Sequence, residues 1–225
     1  MPTAPPRVEK NQQFVAGRFG EAVQIQSPRK LRIPDHTMQD DVKQPLFNKE
    51  QGTIEFWVRR TFDERLTAAK PPALLTNGLY TITHQPTLPL GEWAHVALVW
   101  APYHDQGTLT YLYINGRDAA NYRSLNWAGY SSPRPSTGAQ TAKWLEEFVV
   151  QAATDSSLAI DEFRLSTIAR YADLSVTYGP QQTFNPIRFQ PPEKPFEADE
   201  HTAILLRFDG DLESAAEEKV EGRFE

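Results

Sequence analysis

Carboxylates are the side chains in this chain best able to do chemistry. Adjacent acidic residues occur in "DDVK", "FDER", "LEEF" and "IDEF". General acid–base work on one substrate needs carboxyl groups that face a single cleft. Neighbours on a strand point to opposite faces, so these pairs are expected on surfaces and in turns, with no catalytic residue among them. Cysteine is absent, which excludes a thiolate nucleophile, a Cys-ligated zinc and a disulfide framework. Five histidines, at 36, 84, 95, 104 and 201, lack H-x-H or H-E-x-x-H spacing and are expected at exposed positions. Neither a G-x-S-x-G elbow nor a phosphate-binding glycine loop occurs. Aromatic side chains offer a different chemistry. Trp127 and Tyr130 lie in the irregular "LNWAGYSSPRPSTG", where exposed rings stack on the C–H faces of a sugar. The other reading is that both rings pin the loop to its own sheet. Trp57, Trp93 and Trp100 fall on alternating strands and read as packing residues.

The elements that would position these groups are strands. In "GTIEFWVRR" (52–60), Ile54, Phe56 and Val58 point one way and Glu55, Trp57 and Arg59 the other. The second face reads as the polar one, so that removing the Glu55 side chain is expected to cost little. "ALLTNGLYTITH" (73–84) carries Asn-Gly between apolar runs, a hairpin signal. "EWAHVALVWA" (92–101) and "GTLTYLYINGRDAA" (107–120) alternate and are expected to pair as a meander. Further strands are expected in 14–25, in "KLRIP", and at 146–152 and 158–166. Residues 35–51 and 121–143 read as loops, and "TIARYADLS" as one helical turn. Short strands with Gly and Asn turns, and no long 3.6-residue period, imply an all-β sandwich or jelly roll.

Composition narrows the partners. The formal charge is −6, from 23 Lys and Arg against 29 Asp and Glu, with no long basic run. Nucleic-acid backbone binding rests on clustered cations and is not expected. "RVEK", "SPRKLR" and "WVRR" read as solvated surface. No apolar run reaches the ~20 residues of a membrane span, and "MPTAPPRVEK" lacks the apolar centre of a signal peptide.

Four pieces in order, "GRFGEAVQI", "GTIEFWVRR", "GEWAHVALVWAP…LTYLYINGRDA" and "AIDEFRLSTIARY", resemble bacterial laminin-G-like modules of the concanavalin A-like lectin/glucanase superfamily. The resemblance spans residues 14–171. It implies two antiparallel sheets in a jelly-roll β-sandwich, carried within a longer exported protein at the cell surface, in the periplasm or outside the cell. The implied function is non-catalytic binding or adhesion, with a glycan or a protein as ligand. Glycosidases of the superfamily carry E-x-D-x-x-E on one strand, and that run is missing here. The resemblance also implies a structural calcium ion at Asp161, to which Asp209 or Asp211 contributes if the terminal strand packs beside 158–166. The alternative for Asp161 is a turn cap or an ion pair with Arg164 or Arg170.

One departure concerns order. Members of the family open with a strand like "LLLHFDGDL", and here the matching "AILLRFDGDL" comes near residue 210, followed by "KVEGRFE", an echo of "FVAGRFGE". The expected organisation is a flexible lead-in (1–13), a sandwich (14–178), a proline-rich linker (179–197) and a terminal piece (198–225). That piece either completes the sandwich beside 158–166 or begins a second repeat. Strand exchange with neighbouring repeats or protomers through residues 202–209 is the second functional reading, and glycoside cleavage the third.

Overall fold

The structure is a computed structural model that describes residues 13–39, 41–60, 73–78, 81–83, 88–102, 108–119, 146–153, 156–173, 185–186, 188–216 and 220–225. It is all-β, and no helix occurs among the described residues, so none there crosses a membrane. In chain order the strands are β1 (Gln13–Ala16), β2 (Glu21–Gln26), β3 (Lys30–Pro34), β4 (His36–Gln39), β5 (Val42–Pro45) and β6 (Gly52–Arg60). β7 (Ala73–Thr76), β8 (Thr81–Thr83), β9 (Ala94–Pro102), β10 (Thr108–Ile114) and β11 (Arg117–Asp118) follow. The remainder are β12 (Glu147–Gln151), β13 (Ser157–Ser166), β14 (Ala172–Asp173), β15 (Asn185–Pro186), β16 (Thr202–Leu206) and β17 (Arg223–Phe224).

Two antiparallel sheets share one core, an arrangement consistent with a β-sandwich. The first holds eight strands in the order β1-β2-β13-β6-β9-β10-β11, with β16 also paired to β13; the second runs β17-β3-β12-β7-β8. The expected meander is present as β9 and β10, with Leu98 opposite Leu112. Asn115 and Gly116, both at positive φ, turn it into β11. The Asn-Gly hairpin is β7–β8. Ile54, Phe56 and Val58 face inward as the alternation requires, and join Ile33 and Phe148 of the second sheet in the main core.

Three expectations differ from the structure. His36–Gln39 and Val42–Pro45 pair as a hairpin, β4–β5, where a loop was expected. Its side chains are half-buried or exposed throughout, so no apolar alternation marks it. "TIARYADLS" makes no helical turn over its described part. Thr167 N donates to His201 O (2.9 Å) and Arg170 N to Thr53 Oγ1 (2.9 Å), so its amides serve neighbouring segments and not the preceding helical turn. The stretch read as a linker is, over 188–196, a strap on the outer face of the first sheet. Phe189 N donates to Gly116 O (3.1 Å), and Phe196 is buried.

The terminal piece belongs to both sheets. β16 pairs with the second half of β13, Phe163 opposite Leu206, while β2 pairs with the first half, Ile160 opposite Val23. Ile204, Leu206 and Phe208 enter the main core, and Leu205 faces the other way, against Trp57 and Phe196. β17 then pairs with β3 of the second sheet, Phe224 opposite Leu31.

Candidate functional site

Two segments that carry the resemblance, "GRFGEAVQI" and "AIDEFRLSTIARY", meet the terminal "AILLRFDGDL" at one point. β1 leads into the turn Gly17–Gly20, β13 passes beside it, and the chain leaving β16 arrives from the other side. Asp161 Oδ2 accepts the amide hydrogens of Arg18 (2.7 Å) and Phe19 (2.9 Å), and Asp209 Oδ1 accepts that of Glu21 (2.9 Å). The glycines are needed for this approach. A Cβ on Gly17 would stand 2.6 Å from Asp161 Oδ2, and one on Gly20, at φ +59°, would collide with Asp209. Asp161 therefore caps the turn. It pairs with neither Arg164, which bonds Glu55, nor Arg170, which bonds Asp199. Asp211 stays local, accepting from Glu213 N (3.1 Å).

The carboxylates here are not on opposite sides in the simple sense expected of "IDEF". Glu162 has a positive φ of 54°, and the β13–β6 register shifts between Asp161 and Arg164. This bulge buries Asp161 and Glu162 together. Burial, with the negative charge of Asp209 nearby, pushes the Asp161 carboxyl up to about 6. Burial, with Asp161 beside it, raises Glu162 to about 7, although Phe196 N donates to its Oε2 at 2.8 Å. Asp161 Oδ1 is buried with no hydrogen-bond partner. A calcium ion takes about six to eight oxygens. The all-oxygen chemistry and the orphaned Oδ1 fit such an ion, and the remaining donors would be carbonyls and water. Among the described residues no three His, Asp or Glu side chains gather so as to hold a metal by themselves.

A second polar cluster lies on the same sheet, beneath the strap. Glu55 Oε1 accepts from Arg164 Nε (2.9 Å) and Nη2 (2.7 Å), and Oε2 from the Tyr171 hydroxyl (2.7 Å). His95 Nε2 lies 3.1 Å from Oε2, and since an ionised carboxylate only accepts, this nitrogen carries the hydrogen. Glu55 and His95 are both fully buried, which corrects the exposed positions expected for each. Burial alone would raise the Glu55 pKa; His95, Arg164 and Tyr171 outweigh it and bring the carboxyl down to about 2. Burial and Glu55 together push the Tyr171 hydroxyl well above its ordinary value. Phe189 stacks on Tyr171 at 3.7 Å, Phe196 lies 4.3 Å from the Arg164 guanidinium, and Trp57 flanks His95. Each polar atom of Glu55 is satisfied and the rings close over it, so the cluster fastens the strap. Arg60, read as solvated within "WVRR", is likewise buried and donates to Leu88 O.

Nothing in the linear spacing announces Glu55, His95, Arg164 and Tyr171 as a group. The nearest signal is Trp57, two residues from Glu55 on the supposedly polar face of β6, since a large ring there requires cover. Trp127 and Tyr130 lie outside the described residues, as do His84 and His104.

No protein-family model and no curated protein matches the chain. Among solved structures, the binding domain of botulinum neurotoxin serotype D is similar over 66% of this chain and 40% of that one, with 11% identity and a TM-score of 0.40. The chain thus spans well under half of that structure, and a likeness so distant carries no argument about ligand.

Proposed function

We propose that this chain is a laminin-G-like jelly-roll module of the concanavalin A-like kind. In this reading it is part of a longer exported protein, binds a glycan or a protein ligand without catalysis, and holds a structural calcium ion. The observation that carries the reading is the buried, unpartnered Asp161 Oδ1 at the junction of the "GRFGE" turn, the "IDEF" strand and the "FDGD" segment. Asp161 and Asp209 would hold the ion. Its charge would offset the repulsion between the two carboxylates and tie the turn to β13 and to the chain after β16. Calcium at about millimolar concentration should raise the melting temperature and chelator lower it, because a ligand that binds only the folded state stabilises it. Asp161→Asn should erase the response, and a melting curve indifferent to calcium sinks the ion. Calorimetry against a glycan panel tests the binding role, and turnover of a soluble glycan would overturn the non-catalytic reading.

Strand exchange is the second reading, favoured by the terminal piece. β16 and β17 pair with one strand in each sheet, and another copy could supply the same register. Concentration-dependent oligomers that vanish when residues 198–225 are deleted would support it. A strict monomer at high concentration would sink it.

A further inference from the structure

Asn-Gly occurs at 77–78 and at 115–116, and the fold treats the two pairs differently. Asn77 is fully buried, and the Gly78 amide donates to Thr76 Oγ1 (3.1 Å). Asn115 is exposed, at the first central position of the tight turn between β10 and β11, whose flanking residues Ile114 and Arg117 pair. In such a turn the flanking pair carries the hydrogen bonds, and the second central amide, here that of Gly116, takes no part in them. The Asn115 side chain is held in place. Its Oδ1 accepts from the His95 amide (2.9 Å), and Asn115 N donates to His95 O (2.8 Å). The strap rests on the same turn. Phe189 N donates to Gly116 O (3.1 Å), and a Cβ on Gly116 would collide with Phe189 O.

We propose that Asn115 is a self-modification site, where the side-chain amide of the folded protein converts to aspartate and isoaspartate and thereby loosens the strap. The inference is independent of what the module binds. The Gly116 nitrogen attacks Asn115 Cγ. A new N–C bond closes a cyclic imide, and the Cγ–Nδ2 bond breaks as ammonia leaves with the proton of Gly116. Water then opens the imide. Addition at Cγ restores the ordinary peptide link and leaves aspartate. Addition at the Asn115 main-chain carbonyl leaves isoaspartate, with the chain running through the former side-chain carbon. The first step is favoured at Asn115 and not at Asn77. The Gly116 amide is free of the turn's own bonds, whereas the Gly78 amide is engaged by Thr76. The His95 N–H steadies the oxygen on which negative charge develops during attack. The exposed side chain releases ammonia directly to water, which the buried Asn77 does not meet. Isoaspartate adds one carbon to the backbone of a turn with no room even for a Cβ at Gly116, so Phe189 N parts from Gly116 O.

The test is peptide mapping by mass spectrometry on the folded chain, kept for increasing times in mildly alkaline buffer, where the attacking nitrogen sheds its proton more readily. The Asn115 fragment should gain the mass of an amide exchanged for an acid and split into two isomers. The Asn77 fragment should stay intact until urea unfolds the chain. Hydrogen exchange at the Phe189 amide should quicken in the aged protein, as the strap loses its first anchor. Asn115→Gln, which closes an imide far less readily, should neither convert nor show that change. Freshly made Asn115→Asp carries the new charge without the extra carbon and should exchange at Phe189 as the unaged protein does. An Asn115 fragment that stays intact in the folded chain and converts only in urea overturns the site. Equal conversion of Asn77 in the folded chain overturns the selection by the fold. Conversion with unchanged exchange at Phe189 overturns the loosening of the strap, and quickened exchange in fresh Asn115→Asp overturns its assignment to isoaspartate.

Discussion

The two faces of the eight-stranded sheet are both buried, by different physics. The inner face is apolar: Phe56 of β6 stacks near Phe163 of β13, with ring centres 6.3 Å apart, and the second sheet covers them. Burial there is non-directional, so any side chain of suitable size and hydrophobicity fits the pattern. The outer face carries Glu55, His95, Arg164 and Tyr171, covered by the strap at 188–196. Burial there is tolerable only because each polar group of Glu55 meets a partner at hydrogen-bond distance. The inner face follows a period; the outer face follows a list of partners that lie, in sequence, as far apart as Glu55 and Arg164.

Adjacent residues of β6 test this contrast most strongly. Phe56→Ala should cost roughly 3–5 kcal/mol, the usual loss for a buried aromatic. Glu55→Ala should cost about as much, roughly 3–5 kcal/mol, because it leaves the Arg164 charge buried without its partner. Urea melts of the two variants measure both. A Glu55 loss below about 1 kcal/mol, the size expected of a surface change, would mean that the outer face is solvated in solution.

Acid separates the faces more finely. The Glu55 carboxyl falls from 4.5 to about 2 on folding. A depressed pKa means that the unfolded chain takes up the proton first. The stabilisation is therefore full above about pH 4.5 and is lost as pH falls toward about 2, on the order of 3 kcal/mol in total. Glu55→Gln lacks this dependence while keeping Phe56 and the other carboxyls. The stability gap between the native protein and this variant should narrow steadily across that window. A gap that stays constant would show that folding does not depress the Glu55 pKa.

The smallest effect lies on the second sheet, where ions meet water. Arg223 Nη2 lies 2.8 Å from Glu147 Oε2 across β17 and β12, with its side chain 59% exposed. Arg223→Gln should change stability by less than about 1 kcal/mol, and that little should shrink in salt. A larger loss would mean that β17 anchors the terminal piece through this pair and not through its backbone pairing with β3.

Much of the framework is legible in the residues alone. Alternation placed Ile54, Phe56 and Val58 inside, and Asn-Gly pairs marked the hairpins at 77–78 and 115–116, because side-chain period and turn chemistry are local properties. The same locality explains the failures. The β4–β5 hairpin has no buried face and so left no pattern. Glu55 and His95 read as exposed because an outer face is polar until another segment covers it. That cover comes from a proline-rich stretch with the composition of a linker. Asp161 was marked by resemblance as a ligand, but its position under the Gly17–Gly20 turn, facing Asp209 across 48 residues of chain, is set by the packing of β16 against β13. Sequence by itself determined which residues must leave water and where the chain must turn. Tertiary structure decided which buried charges find partners, because a hydrogen bond demands a partner at about 3 Å, and only the folded chain brings residues so distant in sequence that close.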